Sequence, residues 1–439
     1  MADAETLTAP VAPHSLEETG VNPDLVLQLV LKTMHVAGTL TGIELANRLG
    51  VAFQAVQPCL DVLKKQQHCE IVGAGEAGAP TFKYRISDAG RVRAAVLLGQ
   101  NHYVGEVPVP LEQYRRYMRA FRRQVPRKVT PSRVREAFSH LVLSDRVLDQ
   151  LGAAVCGRHS LFIYGPPGNG KTVMAQAVGR LMDGEIAIPH AVEVEGAIVR
   201  VFEPVKHTPI DTAPRATGLL DGGAAFDRRW VRCRRPVVIV GGELTLDSLD
   251  LSFSPSTGFY HAPAQMVANG GVLVVDDFGR QRCAPRDLLN RWIVPLESGE
   301  DFLTLQTGLT FAVPICLFVV FATNIAPAEL VDEAFLRRIH HKVFAESPTR
   351  EDFARIFENY CRQVDVPFDR SMVESVLDGQ LGPRKVLFRG CQPRDLINQA
   401  LALAEYRGQV RQLTTELLEA ACDSCFLDDR DTPASASLA

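Results

Sequence analysis

Apolar residues spaced three and four apart mark the first readable elements of the chain. Asn22-Pro23 opens a helix with Leu25, Leu29 and Met34 or Val36 along one side. Thr41-Gly-Ile-Glu44 has the form of a capping box and predicts a second helix with Leu45 and Leu49 inward. A third helix, about 53–67, would bury Phe53, Val56, Leu60 and Leu63. Two strand-like runs follow, Glu70-Ile-Val72 and Thr81-Phe-Lys-Tyr-Arg-Ile86, around a glycine-rich loop. Farther along, continuous apolar runs replace alternation: Leu161-Phe-Ile-Tyr164, Gly270-Gly-Val-Leu-Val-Val275 and Leu317-Phe-Val-Val-Phe-Ala322. Strands covered on both faces of a parallel sheet read this way. Residues 186–202 and 237–251 alternate instead and predict a β-rich insertion. Leu288-Leu-Asn-Arg-Trp292 is helical in pattern, and Phe302–Leu305 with Leu309–Val313 predicts a hairpin.

At 439 residues the chain exceeds one ordinary core, so two or three domains are expected. Its 46% apolar and 22% charged residues are those of a globular protein. The longest apolar run, Phe311 to Ile325, is too short and interrupted to cross a bilayer. The first residues carry no basic leader followed by an apolar stretch, so no signal peptide is expected. The ten cysteines stand singly except for Cys422-Asp-Ser-Cys425, a lone pair that suits buried or surface thiols better than zinc. A reducing, cytoplasmic setting is therefore expected. Polar, small-residue stretches at 1–20 and 429–439 predict disordered tails.

Chemistry concentrates at Gly165-Pro166-Pro167-Gly168-Asn169-Gly170-Lys171-Thr172, between an apolar strand and the helical run Val173–Val178. Glycines let the backbone turn its N–H groups onto phosphate oxygens, and the helix that follows adds the positive end of its dipole. Lys171 is placed to reach terminal phosphates and the Thr172 hydroxyl to hold Mg²⁺. The run ending at Val275 stops on two carboxylates, Asp276 and Asp277. Asp276 fits the anion needed beside a phosphate-bound Mg²⁺, and Asp277 the group that polarises a water.

Further motifs follow in order: Leu317-Phe-Val-Val-Phe-Ala-Thr-Asn324, Asp332-Glu-Ala-Phe-Leu-Arg337-Arg338 and Gln392-Pro-Arg394-Asp-Leu396. They resemble the sensor 1 strand, the arginine-finger segment and the sensor 2 helix of AAA+ ATPases. The resemblance covers about residues 130–428. It implies an α/β fold, a P-loop NTPase AAA+ core with a parallel sheet, followed by an α-helical lid. It also implies ATP with Mg²⁺ as ligands and hydrolysis as the activity. Asn324 would hydrogen-bond the γ-phosphate or the attacking water, Arg337 or Arg338 would reach a neighbouring subunit's nucleotide, and Arg394 would read the nucleotide from the lid. Such a finger implies a ring, most often a hexamer. One departure is Asp277, where the family usually has glutamate, one methylene longer. Paired aspartates occur in initiator and helicase-loader branches and in STAND signalling ATPases. The hairpin before sensor 1 is similar to MoxR-like and enhancer-binding members and to bacterial predicted ATPases with chaperone activity.

The expected organisation is a domain at 21–98 resembling a winged helix, a basic linker at 99–135, a nucleotide-binding domain at 136–345 and a lid at 346–428. The third helix of the first domain presents Gln54, Gln57, Asp61, Lys64 and Lys65, without an arginine, which is thin for DNA contacts. The stretch from Tyr114 to Arg135 holds Arg115, Arg116, Arg119, Arg122, Arg123, Arg127, Lys128, Arg133 and Arg135 without an acid. Tyr114, Tyr117 and Phe121 recur among them at helical spacing. Nucleic acid fits this pattern, and so does a helix packing its aromatic stripe. Arg228-Arg-Trp-Val-Arg232-Cys-Arg234-Arg235 has the same two readings. Phe259-Tyr260 stands where ring-forming members carry a pore loop, and packing anchors are the favoured reading, with the pore loop as the alternative. Remodelling or assembly of protein partners is the leading expectation, a DNA-associated loader or initiator the next, and a slow ATP-dependent switch the third. A net charge of −4 gives no global support to the second.

Overall fold

The computed structural model describes residues 9–73, 78–124, 129–157, 160–210, 225–330, 339–383 and 386–426. It divides into two compact units, and each is formed from several stretches of chain. The first comprises Met1–Pro126, Met182–Val274 and Gln281–Val319, and the second Arg127–Leu181, Val275–Arg280 and Val320–Ala439.

In the first unit, helices Pro23–Ala37, Gly42–Leu49 and Phe53–Lys65 are followed by strands Cys69–Gly73 and Lys83–Ile86. Asn22 caps the first helix through its side chain, and both halves of the Thr41/Glu44 box are formed. Leu29, Met34, Leu45, Leu49, Val56, Leu60 and Leu63 are buried, as their spacing predicts. Each such side chain contributes about 1.5–3 kcal/mol. Val36 is exposed, so Met34 is the inward residue. Strand Lys83–Ile86 lies between Leu40–Thr41 and Cys69–Gly73 in an antiparallel sheet.

The β-rich insertion shares this core. Ala191, Ile198 and Phe259 pack in one cluster with the N-terminal helices and with Tyr103 and Val107. Its five-stranded sheet runs Ser252–Ser254, Phe259–His261, Ala197–Arg200, Ala191–Val194, Val109–Pro110. Strands Glu185–Pro189 and Trp230–Arg234 pair separately, and Glu300–Thr304 with Thr310–Pro314 forms the expected hairpin. Residues 9–20, inside the segment expected to be a tail, take defined structure. Ala12 N donates to Ala225 O, Asp227 N donates to Pro10 O, and Thr19 is fully buried. Local polarity misled here because the partners of this segment lie 200 residues away.

The sheet that carries the phosphate loop has the order Val237–Val240, Val272–Val275, Phe318–Thr323, Leu161–Tyr164, His341–Phe344. Leu161–Tyr164 pairs in parallel with Phe318–Thr323 on one side and His341–Phe344 on the other. In the second unit, Phe162, Phe278 and Phe321 form a buried aromatic cluster. Helices Arg350–Gln363, Arg370–Val376, Gln392–Tyr406 and Thr415–Cys425 build a core around Phe353, Phe357, Leu396, Ile397 and Leu418. Among the described residues, no helix is long and apolar enough to cross a membrane.

Candidate functional site

The strand Leu161–Tyr164 ends at Gly165, and helix Lys171–Leu181 begins at the lysine, which confirms the strand, loop and helix order. Gly165 and Gly168 have φ of +143° and +83°, backbone that favours glycine. Space is equally restrictive: a Cβ on Gly165 would lie 2.6 Å from Ala345 O. Lys171 is 7% exposed and its Nζ donates to Gly165 O at 3.0 Å and Pro166 O at 2.8 Å. Burial pulls its pKa down, Asp277 and Asp276 oppose that, and the charge of Arg389 adds to it.

Strand Val272–Val275 delivers the two acids. Thr172 Oγ1 donates to Asp276 Oδ2 at 2.8 Å, and Asp277 N donates to Asp276 Oδ1 at 3.0 Å. Asp277 has φ of +46°, a left-handed conformation that costs a non-glycine residue energy. The turn is held by Phe278 N donating to Ala322 O and by Thr323 Oγ1 donating to Phe278 O. Asn324 Nδ2 donates to Asp277 Oδ1 at 3.3 Å. The Asp276–Asp277 pair thus meets Thr172 and the field of Lys171 on one side and Asn324 on the other, all distant in sequence.

Two arginines of the C-terminal helical part are placed differently from one another. Arg394 is 58% exposed in its side chain and pairs with Asp395 at 2.9 Å. Arg389, not singled out by its sequence, donates from Nη1 to Pro167 O at 2.9 Å. Asn169 Oδ1 accepts from Gly390 N, and its Nδ2 donates to Ala345 O. The Arg-Gly pair ahead of the helix start was the available clue to Arg389, and it has no periodic signature. Arg337 and Arg338 lie outside the described residues.

The loop and acidic strand suit a nucleotide with Mg²⁺. Thr172 and Asp276 supply two hard oxygens, and no group of three or more His, Cys, Asp or Glu among the described residues forms a metal cage. Mg²⁺ is characteristically held by few protein oxygens together with phosphate and water. The family model for magnesium chelatase, subunit ChlI, matches residues 140–214, which include the phosphate loop and its flanking strand and helix. That segment is thus similar to a family of AAA+ ATPases, and the mixed α/β architecture is consistent with a P-loop AAA+ core.

A second family model, a domain of unknown function (DUF8689), matches residues 349–424 of the chain. No curated protein matches it. Among solved structures, NtrX from Brucella abortus is similar at 17% identity and TM-score 0.41. That alignment covers 67% of this chain and 58% of the NtrX chain. NtrX in complex with ADP is similar at 15% identity and TM-score 0.41, over 80% of this chain and 68% of that one. The Thermotoga maritima RuvB Holliday junction branch migration motor is similar at 13% identity and TM-score 0.36, covering 70% and 74%.

Phe259 and Tyr260 are packing anchors, the favoured of their two readings, and not an exposed loop. Both are buried: Phe259 meets Tyr103 edge to face, and Tyr260 Oη accepts from Gln306 N. Much of the arginine pattern is also engaged internally. In helix Leu111–Gln124, Tyr114 and Phe121 are buried, Arg115 Nε donates to Ala312 O, and Arg119 pairs with Glu300. Arg228 donates to Val51 O, Arg229 pairs with Asp227, Arg232 with Glu185, and Arg235 donates to Gly270 O.

Proposed function

We propose that this chain is an AAA+ ATPase that binds and hydrolyses ATP with Mg²⁺ and couples the cycle to remodelling or assembly of protein partners. The observation that carries the proposal is the convergence of Lys171, Thr172, Asp276, Asp277 and Asn324 at the glycine-lined loop. Gly165–Thr172 would cradle the phosphates, with Lys171 neutralising their charge. Thr172 and Asp276 would hold Mg²⁺, which when bound offsets negative charge on the phosphates. Asp277 would orient the attacking water by accepting a hydrogen bond from it and would take its proton, while the Asn324 amide fixes that carboxylate's direction. Arg337 and Arg338 are finger candidates by the motif, which implies an oligomeric ring, and the singly placed cysteines suit a reducing, cytoplasmic setting.

The fold of residues 21–98 supports a winged-helix reading, with three helices and a three-stranded sheet in the matching order. Protein docking is favoured over DNA as its role. Lys64 is paired with Asp61 on the third helix, and Arg228 already donates to Asn47 and to Val51 O of this domain.

Steady-state ATP hydrolysis, with and without DNA at two salt concentrations and with Lys171→Ala as blank, tests the proposal. Turnover that needs Lys171 and ignores DNA supports it. Stimulation by DNA that fades with salt moves the reading to a DNA-coupled machine. Nucleotide that copurifies without turnover moves it to a slow switch.

A further inference from the structure

The phosphate loop is bonded to the lid at three consecutive residues. Arg389 Nη1 donates to Pro167 O at 2.9 Å, Cys391 N donates to Gly168 O at 2.8 Å, and Gly390 N donates to Asn169 Oδ1 at 3.2 Å. The surfaces are in close contact: a Cβ on Gly168 would lie 2.7 Å from Cys391 Sγ, and one on Gly390 3.4 Å from Gly168 O. The segment 389–391 runs directly into helix Gln392–Tyr406, which is anchored in the lid core by Leu396, Ile397 and Ala400. Movement of residues 167–169 therefore acts on the start of a packed helix.

Arg389 is a forked cation spending one donor on a neutral carbonyl. It does so beside a loop where Lys171 is already charged and nearly buried. Its field opposes the lysine's charge. Two cations at one loop repel until an anion arrives, and a phosphate oxygen is a better acceptor for guanidinium than a carbonyl. Arg394, in contrast, is half exposed and neutralised by its neighbour Asp395.

We propose that Arg389, five residues ahead of the motif arginine, is the lid residue that senses the terminal phosphate, exchanging Pro167 O for phosphate oxygens and so coupling the nucleotide to the 389–391 latch. This rests on the nucleotide reading above. ATP offers the extra phosphate and ADP does not, so the signature is in the ratio of the two affinities. General loosening of the lid weakens both alike.

The test titrates fluorescent ATP and ADP analogues onto the full-length protein and its Arg389→Ala, Arg394→Ala and Lys171→Ala variants. Arg389→Ala is expected to weaken ATP about tenfold, leave ADP within about threefold, and shift the ratio more than Arg394→Ala does. Unchanged ATP binding, equal weakening of both nucleotides, or a ratio shift no larger than that of Arg394→Ala overturns the assignment. A wild-type protein that binds neither nucleotide, or a Lys171→Ala variant that binds as well as wild type, overturns the nucleotide reading itself.

Discussion

Thr172 Oγ1 donates to Asp276 Oδ2 at 2.8 Å across 104 positions of sequence, bringing the end of one strand to the start of the helix after another. The bond fixes the hydroxyl and carboxylate side by side as oxygen donors for a small hard cation. Asp276→Asn is expected to lower Mg²⁺-dependent turnover about 10–100-fold. Thr172→Ala should do the same, while Thr172→Ser, which keeps the hydroxyl, should stay near wild type. Mg²⁺ titrations of ATPase activity measure this; equal activity in Thr172→Ala and wild type would remove the threonine from the site.

Asp277 combines a strained backbone with a defined carboxylate direction. Asn tolerates φ near +46° better than most residues, so Asp277→Asn should fold like wild type. It should still lose about 10²–10⁴-fold in turnover if the carboxylate acts as a base. Asp277→Glu keeps the charge and moves it by one methylene, away from the direction Asn324 enforces. Displacement near 1 Å can cost on the order of a hundredfold. An Asp277→Glu enzyme as fast as wild type, with the same melting temperature, would defeat the geometric argument.

The site was legible where its chemistry is local. Gly165–Thr172 needs its glycines, lysine and threonine at fixed spacing, so eight adjacent residues announce the loop. The apolar run before Asp276 announces a covered strand for an equally local reason. Capping at Asn22 and Thr41 was readable because donor and acceptor lie within three residues. Long-range pairings leave no such trace. Nothing adjacent to Arg115 names Ala312 O as its acceptor, and nothing around Arg389 names Pro167 O. Phe259 and Tyr260 look alike as pore or packing residues until Tyr103 and Gln306 are placed beside them.

Lys32 predicts a pH dependence of the first unit. It is 1% exposed, and its Nζ donates to Asn101 O at 3.1 Å. Burial pulls its pKa down to about 8 from 10.5. Below pH 8 the folded and unfolded chains both carry the proton, and the full cost of burying the charge is present. Between pH 8 and 10.5 the unfolded chain binds more protons than the folded one, so this residue's contribution makes stability rise with pH. Lys32→Met should therefore stabilise the unit at pH 7 by on the order of 2 kcal/mol, after losing a bond worth about 1 kcal/mol. The gain should shrink toward pH 10.5. Trp230 and Trp292 are buried in the same unit, so their fluorescence in urea titrations reports it. A gain independent of pH would show that the lysine's charge is not the cause.

Asp227 and Arg229 form a fully buried ion pair that holds the N-terminal segment. Arg229 Nε lies 3.1 and 3.0 Å from the two carboxylate oxygens. Its Nη1 donates to Thr19 O at 2.8 Å and its Nη2 to Gln113 Oε1 at 3.2 Å. Removing the arginine leaves a carboxylate buried without a counter-charge, so Arg229→Ala should destabilise the unit by about 3–5 kcal/mol. Replacing both members with apolar residues of similar volume should cost far less, because the stranded charge goes with its partner. The same tryptophan-monitored urea titrations compare the two variants. The double variant should also be cleaved faster than wild type within residues 9–20 in limited proteolysis, because Thr19 O loses its donor. A single variant no less stable than the double one would mean that water reaches Asp227 and that the pair does not clamp this segment.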